Sequence, residues 1–290
     1  VIEVMLLSKK MLVIYYLIIW LSISSASILV LLSRAPGSVC AFWRLTLSVL
    51  LLIPTWLYRG KPYFHPLSLL AGMFLGLHFV FWMESLYLIP VVVSTVLVVT
   101  YPFYNLFFDY YLFHEKVSYI QVVGLIMGFT GIVLYYNPVV STGLDIVGIT
   151  YAVIGGFLAS LYFTTGRYLR SRARVELSDY VVPTYLSGAL TTLVYNLVYG
   201  VDLINYHIKT YVFFLLLALI PMLGGHTLIN YLLKQVKTTT LTSIALGEPV
   251  GAGILAYLIL GQTIDWPKIV LSVLILGSIV LIIHGEKTST

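Results

Sequence analysis

Three ionisable residues stand inside long apolar runs: Arg44 in VCAFWRLTLSVLLL, Glu84 in FWMESLYLIP and Glu248 in ALGEPVGAGILAYL. In a hydrocarbon setting a central Arg or Asp costs roughly 2.5–3.5 kcal/mol even on the lenient insertion scale, so each such residue is a functional candidate. Glu248 directly precedes Pro249, which removes a backbone donor and kinks a helix, and Gly247, Gly251 and Gly253 around it allow close approach. A carboxyl group there can bind a cationic part of a solute or take up a coupling proton; the alternative is a structural partner for an arginine or for hydroxyls. Arg44 lies about five residues, or roughly 7 Å of helix rise, from the end of its run, so it either faces a cavity and orients a carboxylate or snorkels to the headgroups. Glu84, a second proton candidate, is near the end of its run, where a solvated role competes.

Two polar stripes accompany these charges. Tyr101, Asn105 and Asp109 recur every four residues, as do His226, Asn230 and Lys234, and a four-residue period puts each set on one helix face. The central members Tyr101, Asn105, His226 and Asn230 are candidate substrate-binding residues, with interhelical hydrogen bonding as the alternative. Asp109 and Lys234, near the ends of their runs, read as wet. His78, alone among aromatics, reads as a packed histidine. Pro102 and Pro249 are candidate hinges.

The elements that must position these residues follow from bulk chemistry. With 60% hydrophobic and 9% charged residues and a mean hydropathy of +1.01, the chain has almost nothing to cover a water-facing surface. Its apolar runs are about 20 residues long, enough for a helix to cross a hydrocarbon core roughly 30 Å thick. Stretches such as IVGITYAVIGGFLASLYF are apolar at both parities, which excludes barrel strands and leaves helices. Spans are predicted at residues 11–32, 39–58, 66–87, 91–113, 117–136, 144–166, 178–199, 210–233, 238–260 and 267–284. The fold class is therefore an all-α polytopic membrane protein with ten transmembrane helices. The first run is read as a retained span rather than a cleaved leader.

The lone cysteine, Cys40, excludes a disulfide framework and a cysteine-based zinc site and reads as a small buried hydrophobe. Gly72 with Gly76, and Gly124 with Gly128, have the spacing that lets membrane helices pack closely. The net charge of +5 does not point to nucleic acid, because the basic residues sit in connectors. Lys9, Lys10, Arg59, Lys61, Lys116, Arg167, Arg170, Arg172, Arg174, Lys234, Lys237 and Lys287 fall on one side, and only Arg34, Lys209 and Lys268 on the other. Cytoplasmic loops carry excess Lys and Arg, so both termini are expected in the cytoplasm of a prokaryotic cell and RYLRSRAR at 167–174 is read as an inner loop.

Shifting the chain by 147 positions lays ESLYLIPVVVSTVLVVTYPFYNLFFDYYLFHEKVSY on YLLKQVKTTTLTSIALGEPVGAGILAYLILGQTIDW without a gap, with Pro102 on Pro249, Glu115 on Gln262 and Tyr119 on Trp266. Five helices per half make the second half enter the membrane in the opposite sense, giving two inverted five-helix repeats, residues 1–138 and 139–290. Inverted repeats place binding sites at their interface and alternate access by rocking one part against another.

The Arg44 helix, the segment MESLYLIPVVVSTVLVVTYP and the run LGEPVGAGILAYLILGQTI, in this order, resemble the EamA branch of the drug/metabolite transporter superfamily. The resemblance covers both halves and implies ten helices and transport of amino acids, other metabolites or drugs by alternating access. Tyr101 stands where the second repeat has Glu248, and Gln262 replaces the acidic residue common in that turn, so the resemblance does not carry a symmetric charged site. The implied partners are a small-molecule solute, membrane lipid and a coupling proton, with no cofactor and no metal. No GxxxxGK[ST] phosphate loop is present, which disfavours a primary pump, and no HExxH or GxSxG, which weighs against an intramembrane enzyme. The alternative is an intramembrane enzyme acting on a lipid or small substrate.

Overall fold

The computed structural model describes residues 8–58, 62–136, 145–260 and 265–288. Arg59, Lys61 and Gln262 lie outside the described residues, as does the side chain of Lys287. Among the described residues the chain is helical and contains no strand. The long helices are α1 (Lys9–Ser33), α2 (Gly37–Tyr58) and α3 (Pro66–Leu88). Two short pieces follow, α4 (Val91–Val98) and α5 (Tyr101–Tyr111), and then α6 (Tyr119–Tyr136). The second half repeats the order with α7 (Ile146–Arg172), α8 (Leu177–Val198) and α9 (Ile208–Leu232). It ends with a short α10 (Thr238–Thr242), a 3-10 stretch at Ser243–Gly247, α11 (Glu248–Leu260) and α12 (Trp266–Thr288). Seven of these, α1, α2, α3, α7, α8, α9 and α12, are long and apolar enough to cross a membrane. Large apolar side chains such as Leu50, Leu190, Val194, Val273 and Val280 are exposed on their outer faces, as a hydrocarbon solvent favours.

Local chemistry starts and stops the helices. His65 Nδ1 accepts from Leu67 N at the start of α3, with Pro66 as the first helical residue, and Asp145 Oδ1 accepts from Val147 N at the start of α7. The runs at 91–113 and 238–260, expected as single helices, are both interrupted, and proline is the cause. Pro102 has no N–H for the carbonyl of Val98, so that carbonyl turns toward α7, where a Cβ on Gly156 would lie 2.7 Å from it. Pro249 likewise strands the carbonyl of Ala245, which accepts instead from Glu248 N in a tightened 3-10 turn.

A further correction concerns residues 167–174. The chain does not leave the helix at 166 for a loop; α7 continues through a wide turn to Arg172. Arg167 Nη1 donates to the carbonyls of Leu233 (2.6 Å) and Val236 (2.9 Å), at and just beyond the end of α9, and its Nη2 pairs with Glu115 at 2.7 Å. Arg170 is buried and donates to Asn230 O and Val175 O, and Arg172 Nη2 reaches Phe113 O. Arginine bonded to the last carbonyls of a helix is a C-terminal cap, so Arg167 and Arg170 hold elements together, while Arg172 and Arg174 are exposed.

Small residues set the packing. Gly72 and Gly76 of α3 abut α8, where a Cβ on Gly72 would strike Thr184 O and one on Gly76 would lie 2.8 Å from Gly188 O. Gly124 and Gly128 of α6 abut Ile282 and Ser278 of α12 in the same way, the close approach expected of these pairs. Cys40 is fully buried beside Ser33, as a small hydrophobe should be. The two ends of the bundle differ in charge. Glu115, Lys116, Arg167, Arg172, Lys237 and Glu286 are tied together at one end, with Lys237 Nζ on Lys116 O (2.9 Å) and Lys237 N on Glu286 (2.8 Å). The other end is held by Ser38 N on Glu84, Trp43 Nε1 on Leu203 O and Thr210 Oγ1 on Ser33 O.

Candidate functional site

A small cavity of about 40 Å3 lies among both halves, lined by Arg44 (α2), His78 and Trp82 (α3), Tyr101 (α5), Phe163 (α7), His226 (α9) and Glu248 (α11), with apolar residues of α1 and α4 completing the wall. Such a volume holds a few waters and no metabolite.

Arg44 is 1% exposed and does not snorkel to the surface. Its guanidinium carbon sits 4.1 Å over the ring of Phe79, a cation–π contact that offsets part of the burial cost. Its Nε and Nη1 have no hydrogen-bond partner among the described residues, and neither does Glu248 Oε1. No ion pair joins Arg44 and Glu248 among the described residues, although both line the cavity. A buried polar group without a partner is costly, so a cation and a carboxylate left open on one cavity are the arrangement expected where a ligand supplies the partners.

Aromatic rings form the rest of the wall. His226 meets Phe79 edge-on (5.1 Å between centroids), stacks on Phe163 (5.5 Å) and has an unpartnered Nδ1. His78 stacks on Trp82 and hydrogen-bonds Gly155 O through Nδ1 (2.8 Å), so it is both packed and cavity-facing. Tyr101 leans on Phe163 (5.9 Å). Together the wall offers a cation, a carboxylate, two imidazoles and flat apolar faces. Among the described residues no three His, Cys, Asp or Glu gather as a metal-ligand group.

The sequence-predicted residues divide accordingly. Arg44, Tyr101, His226 and Glu248 meet at one cavity. Asn105 and Asn230 are fully buried and do not line it. Asn105 donates to Thr242 Oγ1 and accepts from Ser160 and Thr164, and Asn230 Nδ2 donates to Tyr162 OH, so both amides join helices to one another. Glu84 accepts from Ser38 N (2.7 Å) at the start of α2 and lies away from the cavity, where a carboxylate completes a helix N-terminus. Asp109, expected to be wet, is 2% exposed and accepts from Thr239 N and Oγ1 at the start of α10. Lys234 is exposed, as expected.

Several contributors escaped the sequence reading, Phe79 and Phe163 among them. Trp82 lies four residues from His78, and that spacing could have placed both on one face. Trp20 of α1 donates from Nε1 to Gly247 O (2.6 Å), directly before Glu248, a contact with no local signal.

The sequence pattern of the EamA-like transporter family matches residues 9–137 and 146–284 of this chain. A Clostridium kluyveri protein described as an uncharacterized transporter is 26% identical over 68% of the chain and 65% of its own length, so the chain spans a little under two thirds of that relative. A Rickettsia bellii protein named S-adenosylmethionine uptake transporter is 24% identical over 85% of the chain and 84% of its own length. A crystal structure of another protein superposes with a TM-score of 0.79 over 98% of this chain and 100% of its own at 16% identity, which establishes likeness of fold. With its pattern matched across both halves, the chain belongs to the EamA-like transporter family.

Proposed function

We propose that the protein is a secondary transporter that carries a small organic solute across a prokaryotic cell membrane by alternating access. In this reading α4 with α5, and α10 with α11, are two interrupted crossings. The chain then crosses ten times as two inverted five-helix repeats, residues 1–138 and 139–290, with both termini in the cytoplasm. The interrupted crossings flank the cavity through Tyr101 and Glu248, as in transporter folds whose broken helices line the binding site.

The single observation that carries the reading is that Arg44, from the first half, and Glu248, from the second, face one small cavity with polar atoms open and no bond between them. That pair suits a solute bearing both a carboxylate and a cation, an amino acid or a similar zwitterion, with the carboxylate on Arg44 and the cation on Glu248. Trp82, Tyr101 and Phe163 supply flat faces for an apolar or aromatic body. S-adenosylmethionine, named for the Rickettsia relative, belongs to that class, having an amino-acid end, a sulfonium and an adenine. The cavity is smaller than such a solute and must widen to load it. His226 and Glu248 are the groups through which a proton can be coupled. No covalent step is assigned to any residue.

Purified protein in liposomes tests this. Saturable counterflow of labelled S-adenosylmethionine or a zwitterionic amino acid is expected. Unsaturable ohmic flux, or conversion of the solute into a product, overturns it.

A further inference from the structure

The end of the molecule opposite the arginine clamps is poor in basic residues: among the described residues only Arg34, Lys209 and Lys268 fall there, at the end of α1 and the starts of α9 and α12. Two of the three line one cavity of about 550 Å3 between the end of α1 and the start of α9, together with His207. Loops on a translocated side are depleted of Lys and Arg, so topology gives no reason to gather two at one spot.

Both side chains are exposed, and among the described residues neither Arg34 nor Lys209 makes a side-chain hydrogen bond or ion pair. No carboxylate lines the cavity. The acid adjacent in sequence, Asp202, is occupied by Ile204 N (3.0 Å) and by Asn205 through its N and Nδ2, and those donors hold its carboxyl below the ordinary range. His207 accepts from Lys209 N through Nδ1, which directs its remaining ring nitrogen elsewhere as a donor. The remaining wall includes Leu32 and Phe213, so cations meet an apolar surface at the edge of the bundle.

We propose that Arg34, Lys209 and His207 form a binding site for a phosphate oxyanion, carried either on a phospholipid headgroup or on a free phosphate compound. Two cations that make no ion pair among the described residues provide charge-assisted donors, and Arg34 adds the planar fork that suits a phosphate face. The apolar wall suits an acyl chain if the phosphate belongs to a lipid. The site is separate from the cavity holding Arg44 and Glu248 and does not depend on the transport reading.

The full-length protein is purified with phosphatidylglycerol and phosphatidylcholine, and retained lipid is counted by native mass spectrometry. Binding of inorganic phosphate is measured in parallel by calorimetry. The double variant Arg34→Gln with Lys209→Gln is compared with Lys268→Gln, which removes a charge from the same end but outside this cavity, and with the charge-keeping Arg34→Lys and Lys209→Arg pair. Unliganded thermal midpoints check that each variant folds. Loss of bound phosphatidylglycerol, or phosphate binding weakened by roughly tenfold or more, in the double glutamine variant alone supports the site. Lipid retention without phosphate binding identifies a headgroup site, and the reverse a free-anion site. Equal lipid retention and equal phosphate response in all proteins, or equal loss in Lys268→Gln, overturns it. If the glutamine pair does not fold, the wild type decides: failure to retain phosphatidylglycerol over phosphatidylcholine, together with no phosphate binding, overturns the proposal.

Discussion

Trp20 Nε1 donates to the carbonyl oxygen of Gly247 at 2.6 Å, which ties α1 to the backbone one residue before Glu248. The contact is possible because Gly247 has no side chain: a Cβ there would lie 2.7 Å from that same nitrogen. Trp20 therefore anchors α1 to the break that Pro249 causes, next to the carboxylate that lines the cavity. Trp20→Phe keeps an aromatic filler and removes the hydrogen bond. The expected cost is about 0.5–1.5 kcal/mol of stability, a fall of a few degrees in the unfolding midpoint, with a larger relative loss of solute uptake. Wild-type uptake in a protein whose midpoint has fallen would show that the contact is structural only.

Asp109 closes the other end of the first interrupted run on the first turn of α10, accepting from Thr239 N at 2.8 Å and Thr239 Oγ1 at 2.7 Å. Both donors are buried, so removing the acceptor leaves them without compensation. Asp109→Ala is expected to destabilise the protein by about 1–3 kcal/mol, read as a lower thermal midpoint in detergent, and Asp109→Asn by less because it keeps one acceptor oxygen. An unchanged midpoint in Asp109→Ala would mean that water or another group takes over the cap.

These two contacts mark the boundary of what the sequence makes legible. Apolar run lengths reveal helices, and Pro102 and Pro249 reveal where two of them break, because a missing N–H acts locally. Arg44 and Glu248 are legible as charges that apolar surroundings do not tolerate without cause. For Asn105 and Asn230 the four-residue spacing leaves cavity lining and interhelical hydrogen bonding both open, because it gives the face of a helix but not the neighbour that face meets. The run at 167–174 reads as an inner loop from sequence because the acceptors of Arg167 and Arg170, the carbonyls at the end of α9, lie about 60 positions away. Glu84 was legible as unusual, but its partner is the backbone of Ser38, and backbone donors carry no residue signature.

The opposed directions of the two halves can be tested by labelling. Cys40, the single native cysteine, is fully buried, so introduced cysteines report with little background. Lys116 and Lys268 are both exposed. A membrane-impermeant maleimide is expected to reach Lys268→Cys from outside intact cells and Lys116→Cys only after the membrane is opened. Labelling of both from one side would remove the inverted arrangement.

Arg44 and Glu248 make the sharpest test of the cavity itself. Each is buried with open polar atoms, and no bond joins the two among the described residues, so the proposal that a solute completes them can be tested residue by residue. If so, Glu248→Gln, which keeps shape and removes charge, should abolish uptake or its pH dependence while the protein still folds and expresses. Arg44→Gln should weaken solutes that carry a carboxylate by roughly tenfold or more and leave decarboxylated analogues nearly unaffected. Exchanging the two charges should not restore uptake, because the carboxylate and cation of the solute would then meet like charges in a site whose aromatic wall still fixes its direction. Full recovery in the exchanged protein would instead mean that the two residues act as a pair, and the role of each toward the solute would have to be abandoned.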